Sequence, residues 1–164
     1  MRLEDAKMIV TGAAQGLGFH FAKRLAEAGA QVAAGDVNEA GLAALAEETK
    51  GAKGKVHTRK LDVASESDVG AFVDWASGAM GGLTGLVNNA GILRDGLLVK
   101  VDRETGAVSK LSREQWQQVI DVNLGGCFNM AKAVFDSMRS RGYGRIVNIG
   151  SINGQGGQYG QVNY

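Results

Sequence analysis

The chain has 164 residues, of which 45% are hydrophobic and 21% charged, the composition of a globular protein with a single core. Its 18 Lys and Arg against 17 Asp and Glu leave a net charge of +1, which gives nucleic-acid binding no electrostatic support. The apolar runs are too short to span a bilayer, and the N-terminus lacks the apolar stretch of a signal peptide. The chain has a single cysteine, which excludes an internal disulfide and a zinc site built from thiolates. From these features together we expect a cytoplasmic protein without a metal site or a membrane partner.

Short apolar segments alternate with amphipathic segments along the chain. Strands are predicted at residues 7–10, 31–36, 56–61, 85–88 and 145–149. The first helix is predicted to bury one face, made of Leu17, Phe21, Leu25 and Ala28. The second helix begins at an Asn38 N-cap, and the third begins with a capping box at Ser65. This order indicates one domain over residues 1–164, an α/β doubly wound parallel sheet of the Rossmann type with five visible strands.

A second capping box, at Ser112, starts the longest predicted helix. Its apolar stripe comprises Trp116, Val119, Ile120, Cys127, Met130, Val134 and Met138. Asn123 lies on this stripe, where an unpaired buried amide would cost about 1–3 kcal/mol. We therefore expect Asn123 to find a partner in a main-chain defect, an ordered water or a ligand. Phe128 and Phe135 make the helix apolar over more than one face, which predicts a second packing surface.

Residues 92–111 interrupt the alternation of strands and helices. Two short apolar segments, 97–101 and 107–110, surround a polar turn and predict a surface hairpin. The insertion leaves the carboxyl end of the fourth strand, on the rim where ligands bind in open α/β sheets. Both a functional loop and a decorative insertion fit this pattern.

The glycine-rich stretch 11–18, Thr-Gly-Ala-Ala-Gln-Gly-Leu-Gly, joins the first predicted strand to the first helix. Such a turn lets the backbone approach a pyrophosphate, toward which free N–H groups and the positive end of the helix dipole point. The spacing T-G-x-x-x-G-x-G differs from the G-x-G-x-x-G of many dinucleotide binders. Taken alone, the stretch also fits a tight turn without a ligand.

The ligand crevice of a doubly wound sheet lies at the carboxyl ends of its strands, and polar residues follow these ends here. Asp36 ends the second strand, 24 residues after Gly12, near the spacing at which an acidic residue binds the ribose 2′-hydroxyl. Its carboxylate would repel a 2′-phosphate, so NAD is the predicted cofactor and NADP is less favoured. Alternatively, Asp36 and Asp62 are turn residues that help to cap the helices that follow.

Four motifs together resemble the short-chain dehydrogenase/reductase family over residues 8–164. They are T-G-A-A-Q-G-L-G at 11–18, N-N-A-G at 88–91, D-V-N-L at 121–124, and G-R-I-V-N-I-G-S at 144–151 followed by Tyr164. The resemblance implies an NAD-dependent oxidoreductase that transfers a hydride between the nicotinamide and a secondary alcohol or ketone. The tail 144–164 is most similar to the 3-oxoacyl-thioester reductases of that family, which implies a 3-hydroxyacyl or 3-oxoacyl thioester as substrate.

By this resemblance, Tyr164 is the general acid/base, Ser151 hydrogen-bonds the substrate oxygen, and Asn123 holds a water of the proton relay. The predicted dinucleotide site comprises Gly12, Gln15, Gly16, Leu17, Gly18, Asp36, Asp62, Val63, Asn89, Ala90 and Gly91. Tyr159 is a rival phenol, but it lies eight residues from Ser151 whereas the family pattern requires thirteen. His57 and Cys127 are expected to be an ordinary strand residue and a small buried hydrophobe.

The family also places a lysine four residues beyond the tyrosine, where its positive charge lowers the pKa of the phenol. We therefore expect the polypeptide to continue past Tyr164 with a helix and with strands that cover the edge at 145–149. Pairing of the long helix between subunits, common in the family, implies a homo-oligomer, a tetramer or dimer. The alternative function is a dinucleotide-binding module without turnover. A sugar-nucleotide epimerase is disfavoured, because that branch has a T-G-x-x-G-x-x-G spacing.

Overall fold

The computed structural model describes residues 2–164 and contains a five-stranded parallel sheet. Its strands are β1 (Lys7–Thr11), β2 (Gln31–Asp36), β3 (Lys55–Lys60), β4 (Gly85–Asn88) and β7 (Arg145–Asn148), and a separate hairpin contains β5 (Val99–Val101) and β6 (Val108–Lys110). The helices are α1 (Gly16–Glu27), α2 (Glu39–Glu48), α3 (Glu66–Met80), α4 (Arg113–Val119), α5 (Gly126–Ser140) and α6 (Asn153–Gly156). Every strand of the parallel sheet begins and ends within one residue of its predicted bounds.

The order of strands in the sheet is β3-β2-β1-β4-β7, so the chain reverses its direction of growth beside β1. The carboxyl ends of β1 and β4 are therefore neighbours, with Val10 opposite Val87. Open α/β sheets bind ligands at such a switch point, outside the carboxyl ends of the strands. The topology thus places the start of the glycine-rich loop beside the Asn89–Gly91 segment.

Alternate residues of β1 face opposite sides of the sheet and belong to separate cores. Ile9 lies in a cluster with Phe72 of α3 and Met130 of α5. Val10 lies in a second cluster with residues of α1 and α2, among them Leu45. Because successive side chains of a strand point to opposite faces, two such cores require helices on both sides of the sheet. This arrangement confirms the predicted doubly wound parallel fold.

The buried face of α1 differs from the predicted one. Its buried residues are Gly18, Ala22 and Ala26, one position along from the predicted stripe, and Leu17 is 60% exposed. The reason is close packing, because a Cβ atom on Gly18 would collide with the carbonyl group of Gly12. Small residues let the helix approach the strand, and the larger Phe21 and Leu25 pack only partly buried at the margin of the core.

The predicted long helix from Ser112 is three segments rather than one. Between α4 and α5 lies a π-helical segment, Ile120–Gly125, in which the N–H of Gly126 reaches the carbonyl of Asp121. One extra residue per turn widens the helix and re-aims the side chains that follow, and such segments are frequent at functional sites. Asn123 lies within this segment. The helix therefore has a main-chain defect at Asn123, one of the three features expected from the sequence to accommodate its amide.

Two of the three predicted N-terminal caps form as expected. Asn38 accepts a hydrogen bond from the N–H of Gly41, and Ser112 forms a complete capping box with Gln115. Ser65 accepts from the N–H of Asp68, but the Asp68 carboxylate accepts from the N–H of Asp62. The box at Ser65 is therefore only half formed, because its second member is used by the preceding turn.

The insertion contains a hairpin whose strands are shorter than the predicted segments 97–101 and 107–110. Its strands β5 and β6 are antiparallel, and the residues of both are exposed. The edge strand β7 is exposed along its whole length as well. Among residues 2–164, no helix is long and apolar enough to cross a membrane.

Candidate functional site

The glycine-rich loop after β1 presents uncapped backbone N–H groups at the start of α1. Gln15 occupies the N-cap position but makes no side-chain capping bond, so the first-turn N–H groups remain available to an anion. Gly12 and Gly16 have φ angles of 65° and 56°, which L side chains adopt only with strain. A Cβ on Gly12 would also lie 2.8 Å from the Cα of Ala90. Position 12 therefore requires glycine for two reasons, the positive φ angle and the lack of space for a Cβ atom.

Thr11 joins the carboxyl ends of β1 and β4. Its Oγ1 accepts hydrogen bonds from the N–H groups of Asn89 and Ala90, both at 3.0 Å. In return, the Asn89 side-chain amide donates to the carbonyl oxygens of Thr11 and Gly12, at 3.0 and 3.2 Å. These four bonds fix the glycine-rich loop against the start of the next loop. This role of Thr11 was not predicted from the sequence. A threonine at the end of a predicted buried strand could have indicated it, because a buried hydroxyl needs a hydrogen-bond partner.

Asp36 fixes the same loop from the other side. Its Oδ2 accepts the N–H of Ala14 at 3.0 Å, and its Oδ1 accepts the N–H of Asn38 at 2.9 Å. Both interpretations of Asp36 are thus compatible with the structure, since it organises the turn before α2 and also borders the cleft described next. Each carboxylate oxygen has a further lone pair for a ligand hydroxyl.

A cleft of about 420 Å³ lies at the switch point and contains nearly all of the predicted dinucleotide residues. The predicted residues that line it are Gly12, Gln15, Gly16, Leu17, Asp36, Asp62, Val63, Asn89, Ala90 and Gly91. Gly18 does not line the cleft, because it is buried where α1 meets the loop. Val37, Leu61, Ile92 and Val122 complete the lining and were not singled out from the sequence.

Asp62 serves a local function in this lining. Its Oδ1 accepts the N–H of Ala64 at 2.9 Å, which closes the turn before α3. The neighbouring Val63 is 6% exposed and belongs to the core between α3 and α5. A contribution of Asp62 and Val63 to ligand binding rests on their position at the cleft wall.

A second cleft, also of about 420 Å³, contains the three predicted catalytic residues Asn123, Ser151 and Tyr164. It shares Leu17 and residues 89–92 with the first cleft, so the two are continuous. The rival Tyr159 is 84% exposed and lines neither cleft. Residues 151 and 164 are thirteen apart in the chain, yet the α6 turn between them returns the tail to the same cleft.

The Asn123 side chain forms a paired hydrogen bond with the backbone of Ile92. Its Oδ1 accepts the Ile92 N–H at 2.9 Å, and its Nδ2 donates to the Ile92 carbonyl at 3.1 Å. The partner predicted for this amide, which is half-buried, is thus the first residue of the insertion. The pair leaves the second amide hydrogen of Asn123 for a water or ligand in the cleft.

Cys127 also lines the second cleft, as its sequence interpretation did not anticipate. It is half-buried, its Sγ donates to the Asn123 carbonyl at 3.2 Å, and burial raises the pKa of its thiol. The raised pKa disfavours the thiolate, which is the nucleophilic form of a cysteine. Ser151 is exposed, and its Oγ accepts from the N–H of Asn153 at 3.2 Å, which leaves the hydroxyl hydrogen free to donate.

The parallel sheet and the joined clefts at its switch point define a Rossmann-type α/β protein. No group of three or more His, Cys, Asp or Glu residues within the part of the chain that the structure describes could hold a metal ion. The family model described as "short chain dehydrogenase" matches residues 6–164, and the chain belongs to this family. The predicted membership is thereby confirmed.

Relatives with curated names agree with this assignment. The chain is 38% identical over 164 residues to the 3-oxoacyl-[acyl-carrier-protein] reductase FabG of Thermotoga maritima. The matched region covers 100% of this chain and 63% of that protein. The chain is 43% identical over 157 residues to an acetoacetyl-CoA reductase of Paracoccus denitrificans, covering 95% and 59%. A crystal structure of an NAD⁺-bound xylitol dehydrogenase is similar with a TM-score of 0.86 at 29% identity, covering 100% of this chain and 60% of that one. The chain thus spans about three fifths of the length of these relatives.

Proposed function

We propose that the protein is an oxidoreductase that transfers a hydride between NAD(H) and a secondary alcohol or ketone, with 3-hydroxyacyl and 3-oxoacyl thioesters as its substrate class. The observation that carries the proposal is the continuity of the two clefts at residues 89–92. One cleft has the loop and uncapped helix start suited to a pyrophosphate, and the other has a hydroxyl and a phenol. A dinucleotide in the first would end beside Ser151 and Tyr164 in the second.

The residues of the second cleft divide the chemistry between them. Bound NAD(H) would supply or accept the hydride. Tyr164 would give a proton to the carbonyl oxygen in reduction and take it back in oxidation. Ser151 would donate a hydrogen bond to that oxygen, which strengthens as negative charge develops there. Asn123 would fix the floor of the cleft through Ile92, and its second amide hydrogen would hold the water of the relay.

NAD(H) is preferred over NADP(H) in this proposal. Asp36 borders the cleft with a carboxylate that would bind ribose hydroxyls and repel a 2′-phosphate. Gln15 is neutral and lies in the same cleft, where an arginine would be needed to hold that phosphate. The NAD⁺-bound xylitol dehydrogenase of similar fold supports a nicotinamide dinucleotide in general.

The thioester substrate class rests on the names of the relatives and on the lining of the cleft. Two of the relatives are named a 3-oxoacyl-[acyl-carrier-protein] reductase and an acetoacetyl-CoA reductase. The second cleft has apolar walls at Ile92, Leu93 and Ile149 around the polar Ser151 and Tyr164, which suits an acyl group with a reacting carbonyl.

A substrate panel tests the proposal directly. The protein, in its complete natural sequence, is mixed with NADH or NADPH and with acetoacetyl-CoA, acetoacetate or cyclohexanone, and oxidation of the dinucleotide is followed at 340 nm. We expect NADH to be oxidised, with a kcat/KM for acetoacetyl-CoA at least about tenfold above that for the simple ketones. Tight NADH binding without turnover of any ketone would favour the alternative, a dinucleotide-binding module.

We further propose that the protein is a homo-oligomer, a dimer or tetramer, in the cytoplasm. The helical segment from 120 to 140 exposes Leu124, Phe128 and Phe135, with exposed fractions of 66%, 64% and 58%. Three large apolar side chains on one helical run are typical of an interface between subunits. A monomeric mass by light scattering at micromolar concentration would contradict this.

A further inference from the structure

The tail that carries Tyr164 is hydrogen-bonded to the start of the insertion, here called the stem and defined as residues 94–96. The Gly96 N–H donates to the Gly160 carbonyl at 2.6 Å, and Gly96 and Gln161 form an isolated parallel bridge. The Gln161 Nε2 donates to Asp95 Oδ2 at 3.0 Å. These contacts join segments more than sixty residues apart in the chain, directly beside the second cleft.

Asn163, the residue before Tyr164, is attached to the same stem. Its Nδ2 donates to the Arg94 carbonyl at 2.9 Å, and the residue is only 5% exposed. Its Oδ1 is buried without a partner among residues 2–164, which is unfavourable for a polar group. A leucine would fill the same space without that cost, so the bond to Arg94 is what an asparagine provides at this position.

Gln161 extends the attachment to Ser151. Its Oε1 accepts from the Nδ2 of Asn153 at 3.0 Å, and the N–H of Asn153 donates to Ser151 Oγ at 3.2 Å. A continuous chain of hydrogen bonds therefore runs from Asp95 through Gln161 and Asn153 to the Ser151 hydroxyl. The stem thus contacts the segments that carry both hydroxyl groups of the second cleft.

The stem is itself anchored to the body of the domain. The Arg94 guanidinium donates through Nε to Gln118 Oε1 at 3.1 Å, which ties it to α4. The preceding Ile92 is held by the Asn123 amide in the π-helical segment. Displacement of the tail relative to the cleft would therefore break bonds to a fixed support, because Arg94 and Ile92 anchor the N-terminal side of the stem to the domain.

We propose that the stem of the insertion positions Tyr164 and Ser151, with Asp95, Gln161 and Asn163 as positioning residues. The inference rests on the proposed function, because it assigns these residues to the placement of the reacting hydroxyl groups. Asn163 sets the backbone beside Tyr164, and Asp95 acts through Gln161 on the Ser151 segment. A small misplacement of a reacting group lowers the rate steeply while leaving dinucleotide binding intact.

Paired variants of the full-length natural protein test this inference. Asp95→Ala removes the acceptor for Gln161, whereas Asp95→Asn keeps a side-chain oxygen that can accept the same bond. Asn163→Leu fills its space but cannot donate to Arg94. Asp102→Ala is the matched control, since it removes a carboxylate from the tip of the same insertion, where Asp102 bonds only within its own turn. Steady-state rates and amide hydrogen exchange of residues 157–164 are measured for each.

We expect Asp95→Ala and Asn163→Leu to lower kcat at least about tenfold, with the KM for NADH within about twofold of wild type. Exchange in residues 157–164 should rise at least about fivefold in both, and Asp95→Asn and Asp102→Ala should stay within about threefold of wild type in kcat. Unchanged kcat or unchanged exchange in the first two variants would overturn the inference, as would equal damage in Asp95→Asn and Asp95→Ala. Absence of turnover in the wild-type protein would refute the proposed function instead, and the exchange rates would then decide the attachment by themselves.

Discussion

Asp36 accepts the N–H of Ala14 at 3.0 Å, so the carboxylate that ends β2 also holds the glycine-rich loop after β1. The same side chain accepts the N–H of Asn38 through its other oxygen. A residue expected to select the dinucleotide is therefore also part of the frame that shapes the pyrophosphate loop. Substitutions at Asp36 should separate these two effects.

Asp36→Asn removes the negative charge but keeps an oxygen that can accept from Ala14, whereas Asp36→Ala removes both. We expect wild type to bind NADH more tightly than NADPH and Asp36→Asn to narrow that preference by about tenfold, because a 2′-phosphate is no longer repelled. Asp36→Ala should narrow it similarly and also weaken both dinucleotides, since the loop loses its anchor. Fluorescence titration with both dinucleotides measures this, and tighter binding of NADPH by wild type would show that Asp36 does not select the cofactor.

Glycine positions in α1 and its loop should differ in their tolerance of alanine. Gly18→Ala should lower both stability and NADH affinity, because the new methyl group collides with the Gly12 carbonyl. Gly16→Ala meets no atom within 4 Å but has a φ of 56°, so it should cost only about 1–2 kcal/mol. Gly70→Ala in α3 meets nothing within 4 Å and should stabilise by about 0.4–1 kcal/mol.

Chemical denaturation and NADH titration of the three variants give these values. A Gly18→Ala protein with wild-type stability would show that α1 can move away from the loop. In that case, the NADH affinity of Gly18→Ala would show whether the conformation of the glycine-rich loop has changed. Gly70→Ala serves as the control for the general effect of alanine on a helix.

The pairing of Asn123 with Ile92 should contribute to stability. Asn123→Leu leaves the Ile92 N–H and carbonyl without their partner, which we expect to lower the free energy of unfolding by about 1–3 kcal/mol. Gln117→Leu is the control, because it removes an exposed hydrogen bond of 2.7 Å from the Gln117 side chain to Asp121, one helical turn further along the chain. It should change the free energy of unfolding by less than about 0.5 kcal/mol. Equal stability of the two variants in urea denaturation would contradict the structural importance of the pair.

His57 in β3 should make stability depend on pH. Burial lowers the pKa of His57 below its ordinary value of 6.5, and the nearby Lys55 lowers it further. Its Nε2 is buried without a partner among residues 2–164, in keeping with a neutral ring. Because the unfolded chain binds this proton more readily than the folded one, the free energy of unfolding falls as pH drops below 6.5.

The His57→Gln variant should lose that part of the pH dependence while keeping the profile above pH 7. The measurement is urea denaturation of both proteins between pH 5 and 8. Identical slopes in wild type and variant below the ordinary histidine pKa would show that His57 protonates equally in the folded and unfolded states.

The sequence predicted the sheet and the position of its polar residues because both follow from local rules. The carboxyl ends of parallel strands lie at one edge of the sheet, so the polar residues that follow them, such as Asp36, lie at that edge. For the same reason Asn89 and Ser151, which are far apart in the chain, both line the second cleft. An amide on an apolar helix stripe, such as that of Asn123, must find a partner, although the identity of the partner, Ile92, depends on the path of the insertion. Energetic need was thus predictable, while the partner was not.

Other features arise only from tertiary packing. The buried line of α1 through Ala22 follows from the contact of Gly18 with its loop, which no helical periodicity reports. The apolar pattern of residues 116–138 continues across the π-helical turn Ile120–Gly125, so the sequence alone predicts one helix. The bond between Asn163 and Arg94 joins two irregular segments, for which the sequence carries no periodic signal.

We propose above that the cleft holding Tyr164 and Ser151 performs the proton chemistry of carbonyl reduction. The most direct measurement is the rate of NADH oxidation with acetoacetyl-CoA by full-length Tyr164→Phe, beside NADH affinity and the matched variant Tyr159→Phe. We predict that Tyr164→Phe lowers kcat by about 10²–10⁴-fold with unchanged NADH affinity, because only the acid/base hydroxyl is lost. Tyr159→Phe should keep wild-type turnover, since this phenol is 84% exposed outside both clefts. Wild-type turnover in Tyr164→Phe, or its loss in Tyr159→Phe alone, would contradict the assignment.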